Sequence, residues 1–342
     1  MSGETDIAQA AMVVERSTPV ADPVRRRKAY LYWTLAAGAL AILFAAPSFV
    51  GYYQIELLSI FVLNCLVVVS YRLTTTTGDW GLHHIIMMGV GGYAAALCSI
   101  HFGLPIILTI PIAGVAAGLI AYLIAIPLTR TRGFAFFIAS FALGEFIRLS
   151  WLAFDTPFGG PRGLTGIPTG SIFGISLADP KVYFYFMLVV VALCIYVMIR
   201  INGSLTGQSW IATQKDEPLC QSVGIDVTKA RRYALALGGM FVGIAGGLFA
   251  HRLGAIDAKN FQLTIMIYLV IWIVVGGART IWGSILGLVV MTIVYEGTRP
   301  FEEWRPLIFG TVLIFSLILL PNGLESLVTK LADSTRQRRV RT

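Results

Sequence analysis

Residues 207–232 read GQSWIATQKDEPLCQSVGIDVTKARR, a water-compatible stretch set between two strongly apolar blocks. Its middle, Ile211–Val223, has the period of a short helix: Trp210, Leu219 and Val223 can share one face while Gln214, Lys215, Asp216 and Glu217 stay wet. A helix of that length is marginal alone in water, so a packed partner must hold it. Pro218 falls inside it and costs ~3 kcal/mol in a helix interior unless the helix restarts there. The stretch reads as a docking element at a membrane surface, and the apolar blocks on either side decide what kind of protein carries it.

Those blocks dominate the chain. With 56% hydrophobic residues, 13% charged residues and a mean hydropathy of +0.77 over 342 positions, an ordinary soluble domain is excluded. The fold class is an all-α polytopic membrane protein. The excess of 26 Lys+Arg over 18 Asp+Glu lies in short segments flanking apolar runs, where the positive-inside rule accounts for it, so no nucleic-acid partner is expected. Cys65, Cys98, Cys194 and Cys220 stand singly, without metal-ligand spacing, and read as packing residues.

Upstream of the opening stretch, residues 1–29 read as a disordered cytoplasmic tail. Arg25-Arg26-Arg27-Lys28 before an apolar run resembles a signal peptide. A polar leader precedes it, however, and the run exceeds a typical h-region of ~7–15 residues, so Tyr30–Val50 reads as an uncleaved first span. Glu56–Tyr71, His83–Ile100, Leu104–Leu128 and Phe134–Phe154 follow, each near the ~20 residues that a bilayer core demands. Residues 155–182, rich in Pro and Gly, form a periplasmic loop built of turns, because irregular backbone is not tolerated against lipid. Tyr183–Ile199 leads into the cytoplasmic loop 201–232, and Tyr233–Ala250 leads out of it.

Downstream, Thr264–Val275 and Ile281–Tyr295 flank Gly276-Gly277-Ala278-Arg279-Thr280 and read as a hairpin of two short, tilted helices. Leu307–Leu320 closes a transmembrane domain over residues 30–327, and residues 328–342 are a basic cytoplasmic tail. Threading roughly ten transmembrane or partly spanning helices with both termini cytoplasmic keeps Arg72, Arg130, Arg132, Arg200, Lys215, Arg231, Arg232 and Arg279 inside. Gly239, Gly243 and Gly247 recur at every fourth position, as do Gly114 with Gly118 and Gly283 with Gly287. This spacing puts small residues on one helix face and predicts close helix–helix seams.

The chain carries no G-x-x-x-x-G-K-[ST] loop, no metal spacing and no nucleophile–base set, so no catalytic residue, metal or directly bound cofactor is expected. What remains are ionisable groups in apolar surroundings, each costing ~2.5–3.5 kcal/mol at a helix centre unless it faces a cavity or a partner. Glu145 and Arg148, three apart on one face, are either a structural pair or a hydrated translocation wall. His83 and His84, with Trp80 and Tyr93, either line a polar entrance or form an interfacial cluster; His251 and Arg252 read as interfacial. His84, Tyr93, Glu145 and Arg148 are therefore the candidates for a translocation path, lined by the third, fifth and seventh spans. Arg162, Asp179 and Lys181 of the outer loop are candidates for contact with an extracytoplasmic partner.

Taken together, these motifs resemble one family. Trp210-Ile211-Ala212 through Asp216-Glu217 to Gly224-Ile225, then Ala234 and Gly243-x-Ala245-Gly246-Gly247-Leu248, are similar to the cytoplasmic-loop signature of branched-chain amino-acid type ABC importer permeases, in particular the M-type subunit. The third-span set Gly78, Leu82, His84, Gly89, Gly91 and Tyr93 fits the same pattern. So do Arg130-Thr131-Arg132-Gly133-Phe134 with Gly144-Glu145 and Arg148, the loop from Gly159 to Pro168, and Val275-Gly276-Gly277 with Trp282-Gly283-x-x-x-Gly287. The resemblance runs from about Tyr30 to Leu327, with departures at Gly81, His83, Met87 and Pro218.

It implies a permease subunit in a bacterial inner membrane, paired with a homologous second permease, two cytoplasmic ATPases and a periplasmic solute-binding protein. ATP would act only through the partner subunits. Ile211, Lys215, Asp216, Glu217, Leu219, Val223 and Gly224 would then form the ATPase-coupling segment. The solute would be a branched-chain amino acid or a similar small polar compound; the same family includes permeases for urea, amides and aromatic acids. A secondary transporter using Glu145 as its ion-coupling carboxylate is the alternative.

Overall fold

The structure, a computed structural model, describes residue 34 and residues 38–172, 174–277, 280–319 and 323–326. The chain divides into two compact units, Met1–Gly51 and Tyr52–Thr342. In the first, Gly38–Ser48 is a short apolar helix. The expected amino-terminal tail, the start of the first span, Arg279 and the basic tail 328–342 lie outside the described residues.

The second unit contains α1 (Tyr52–Thr74), α2 (His84–Phe102), α3 (Ile106–Leu128), α4 (Gly133–Ala153), α5 (Pro180–Gly203), α6 (Leu205–Lys215), α7 (Glu217–Ser222), α8 (Val227–Leu253), α9 (Leu263–Gly276), α10 (Ile281–Gly297) and α11 (Arg305–Leu319). Among the described residues, seven helices are long and apolar enough to cross a membrane, and three further apolar helices are shorter. The protein is an all-α polytopic membrane protein, as its composition requires.

α8 runs through the middle, packed against α1, α2 and α3. The expected seams are there in atomic register. Gly239, Gly243 and Gly247 lie on Ala121, Ala117 and Ala113 of α3, while Gly114 and Gly118 receive Ile244 and Met240 of α8. On the α2 side, Gly243 meets Gly91, and Gly246 lies against the Met88 carbonyl and Gly92. With lipid tails as apolar as leucine, such backbone approach supplies the dispersion contact that hydrophobic burial cannot. α9 and α10 form the expected antiparallel hairpin: Gly276 touches Gly283 and Gly287, and Gly287 touches the Trp272 carbonyl. Ile271, Val275, Met291 and Phe309 join this hairpin to α11.

Two faces of the bundle carry the connections. On one, the α1–α2 corner, the α3–α4 turn, α6 and α7 come together. On the other, the loop after α4 returns in two short antiparallel ladders, Leu164–Thr165 with Ala255–Ile256 and Ser171–Ile172 with Ile175–Ser176. Gly163 adopts φ +69 there and sits on the Ile256 carbonyl, a place with no room for a side chain.

The single helix expected over Ile211–Val223 is corrected. Asp216, at φ −154° and ψ 98°, breaks it into α6 and α7, and its Oδ1 accepts the Leu219 N–H at 3.0 Å as the cap of α7. Pro218 falls in the first turn of α7, where its missing N–H costs nothing. The break also separates the face assigned from periodicity: Trp210 is buried at 1% exposure, whereas Leu219 and Val223 are 60% and 69% exposed.

Candidate functional site

The face that holds α6 and α7 is built on a buried ion pair. Arg231, in the first turns of α8, donates from Nε to Asp79 Oδ2 at 2.6 Å and from a terminal nitrogen to Asp79 Oδ1 at 2.5 Å. Its remaining N–H groups reach the carbonyls of Thr129 and Thr131, both at 3.1 Å, and its plane lies 5.5 Å from the Phe136 ring centre. Thr77 donates a further bond to Asp79 at 3.1 Å. Arg231 is 1% exposed. A charged pair so far from water persists only when its hydrogen-bonding capacity is filled, and the forked guanidinium fills it here with a carboxylate and two carbonyls. One side chain thereby ties α8 to the α1–α2 corner and to the α3–α4 turn.

Around this lock the neighbours close in. Arg232 donates to Thr129 Oγ1 at 3.2 Å, Gln214 of α6 packs on Gly78, and Arg132 of the α3–α4 turn pairs with Glu217 of α7. Between them opens a polar cleft of about 420 Å³, lined by Thr77, Arg132, Lys215, Asp216, Glu217 and Arg231 among others. Asp226 caps α8 through the Lys229 N–H at 2.9 Å, a bond that holds its carboxyl below the usual range. Sequence reading missed Asp79 altogether and took Arg231 for a topology-setting charge. Its available signal was an acid standing just outside two apolar spans.

The residues expected for coupling divide into two sets. Glu217 and Asp216 are engaged inside the chain, in the pair with Arg132 and in the cap of α7, while Lys215 borders the cleft exposed. Leu219 and Val223 project outward as an apolar knob, and Ile211 on α6 is half-buried. Gly224 takes φ +86 to end α7, with Ile225 N–H on the Cys220 carbonyl at 2.9 Å.

The four candidates for a translocation path do not converge. Arg148 Nε lies 3.0 Å from each oxygen of Glu145, so these two do pair on α4, half-buried. Glu145 borders a narrow gap with Leu82, Phe141 and Gln262. Tyr93 lies elsewhere, 4.6 Å from the Trp151 ring centre and 5.7 Å from that of Phe158, at a largely apolar groove of about 320 Å³. His84 borders neither: it is buried against Tyr71, with Nε2 3.0 Å from Ser70 Oγ. His83 is buried at the start of α2, and among the described residues its Nδ1 has no hydrogen-bond partner.

On the opposite face Arg162, Asp179 and Lys181 are exposed, and Asp179 caps α5 through the Lys181 N–H at 2.8 Å. The interfacial reading of His251 is corrected: it is wholly buried, with Nε2 2.7 Å from Thr109 Oγ1 and Nδ1 2.8 Å from the Pro168 carbonyl. Its neighbour Arg252 pairs with Glu56 and lies 5.5 Å from the Tyr183 ring centre. Among the described residues no group of three or more His, Cys, Asp or Glu is placed to hold a metal ion.

The profile of the permease component of branched-chain amino acid transport systems matches residues 53–317. The high-affinity branched-chain amino acid transport system permease protein LivM of Salmonella typhimurium is 28% identical over 273 residues, covering 71% of this chain and 64% of that protein. LivM of Escherichia coli K12 gives the same identity and coverage. The probable branched-chain amino acid transport permease protein LivH of Methanocaldococcus jannaschii is 26% identical over 260 residues, 69% of this chain and 79% of that protein. The match therefore spans under two thirds of the LivM proteins' own length. No solved structure matches with significance. A family match that begins in α1 and ends in α11 takes in the whole Asp79–Arg231 lock and the broken loop beside it, and the chain belongs to the family of branched-chain amino acid transport system permease components.

Proposed function

We propose that the chain is a permease subunit of an ATP-driven importer in a bacterial inner membrane. In this reading it pairs with a homologous permease, two cytoplasmic ATPases and a periplasmic solute-binding protein. One arrangement carries the reading: α7 turns an apolar knob, Leu219 and Val223, outward, while Arg132–Glu217 and Arg231–Asp79 fasten the other side of the loop to two connections of the bundle, the α3–α4 turn and the α1–α2 corner. Such a knob on a rigid base is what a partner needs in order to push or pull a membrane bundle through a small contact. The basic residues Arg72, Arg130, Arg132, Arg200, Arg231 and Arg232 gather at this end of the helices, which favours its being cytoplasmic, with both termini on the same side.

In this mechanism, closure of the ATPases displaces α6 and α7. The lock passes that displacement to the α1–α2 corner, the α3–α4 turn and α8 together. Lys215 and the two knob residues meet the ATPase, Arg162, Asp179 and Lys181 meet the binding protein, and Glu145 with Arg148 on α4, His84 and Tyr93 border the moving helices. The relatives are named as branched-chain amino acid transport permeases, which supports branched-chain amino acids as the solute. Purification of the chain from its native membrane tests the proposal. A P-loop ATPase should accompany it and be lost on Leu219→Asp with Val223→Asp, while the second permease stays; recovery of the chain without any ATPase would contradict it.

A further inference from the structure

α8 is gripped at both ends by its own side chains. Near its start Arg231 is locked to Asp79, Thr129 and Thr131; near its end His251 bridges α3 and the outer loop. A carbonyl only accepts, so the bond to Pro168 requires the proton on Nδ1 of His251. Nε2 faces, at 2.7 Å, the Thr109 hydroxyl, whose single proton can go to it or to the Ile106 carbonyl 3.2 Å away. Just beyond, Ile167 N–H donates to the Gly254 carbonyl at 3.0 Å, and Leu164–Thr165 pairs with Ala255–Ile256. The end of α8 needs no help from His251, because Gly254 at φ +68 already closes it with its N–H on the Ala250 carbonyl. The imidazole is buried for the sake of what it joins.

The two grips are twenty positions apart on the helix, about 30 Å at about 1.5 Å per residue. Gly238, Gly239, Gly243, Gly246 and Gly247 bring this length into backbone or Cβ contact with α1, α2 and α3. Seams this close, with Met240 and Ile244 of α8 seated on Gly118 and Gly114 of α3, hold the helix by short contacts along its length and resist its bending. A displacement imposed at one end has to appear at the other.

We propose that α8 is the rod by which the outer loop and the α6–α7 loop sense one another, and that His251 is the positioning residue that fixes the outer loop to it. This rests on the importer reading above, in which a binding protein docks on the outer loop and an ATPase on α6–α7. His251 touches neither partner. Its part is to make Pro168 and the end of α8 one body, as Arg231 does for Asp79 and the start.

The test uses the whole complex in nanodiscs, with ATP hydrolysis measured with and without its binding protein loaded with leucine. Substitution His251→Leu fills the space and removes both bonds; Thr109→Val removes one. In His251→Leu, basal hydrolysis and complex yield should stay within about twofold of the parent, while stimulation by the loaded binding protein falls about tenfold, within the usual range of coupling between sites. His251→Asn, which keeps a donor towards Pro168, should retain most of the stimulation. Unchanged stimulation in His251→Leu, or basal and stimulated rates falling in parallel, would overturn the proposal. Thr109→Val, which leaves the Pro168 bond, should keep the stimulation as His251→Asn does; should His251→Leu fail to assemble, His251→Phe, which keeps a ring but loses both bonds, decides: a reduced ratio supports the proposal and an unchanged ratio overturns it. Absence of ATPase from the parent complex removes the importer reading itself, and is seen before any variant is made.

Discussion

Arg231 and Asp79 stand 152 residues apart in the chain, and nothing local to either announces the other. The lysines and arginines around Arg231 all fit a solvated membrane boundary, so its burial became legible only once α8 had been set against the α1–α2 corner. Removing one member leaves the other charge dry and unpaired, which costs about 3–5 kcal/mol. Arg231→Ala and Asp79→Ala should each lower the thermal unfolding midpoint of the purified protein in detergent markedly. Arg231→Lys should not rescue it, because an ammonium cannot span two carboxylate oxygens and two carbonyls at once. A midpoint unmoved by Arg231→Ala would mean that the lock contributes nothing to stability. His251 was misread for the same reason: one residue from the end of an apolar run looks interfacial until the outer loop folds back over it.

At the scale of elements, the long spans and their seams were readable, because lipid imposes length and close packing imposes small residues at every fourth position. Gly246 makes the tightest of these contacts on the α2 side, so Gly246→Ala should force α8 and α2 apart at a cost of about 1–3 kcal/mol, read by reversible SDS unfolding. The docking loop was half readable. Its helical period was carried straight through Asp216-Glu217-Pro218, although an acidic cap followed by proline at the next position but one is also how a new helix begins. Two substitutions separate the readings. Asp216→Ala should cost about 1 kcal/mol as a lost cap. Pro218→Ala should change stability by no more than about 1 kcal/mol, since proline there breaks nothing. A gain of several kcal/mol from Pro218→Ala would restore the continuous helix.

At the scale of the molecule, two loop clusters stand on opposite faces of one packed helical bundle in the unit Tyr52–Thr342. The exposed positions Gln221 and Ser176 report on those faces. Cysteines placed there should react with a membrane-impermeant maleimide from the cytoplasmic and the periplasmic side respectively; labelling of both from one side would break the topology. Fold class and family were legible because composition and motif order survive without coordinates. A pore was not, because His84, Tyr93, Glu145 and Arg148 lie on two helices and face different neighbours. The most direct measurement is uptake of radiolabelled leucine into proteoliposomes holding this chain with its co-purified partners and the binding protein. Uptake should require ATP inside the vesicle, persist when the proton gradient is collapsed, and vanish with Leu219→Asp and Val223→Asp. Uptake that follows the proton gradient without ATP would contradict the importer and make the chain an ion-coupled carrier.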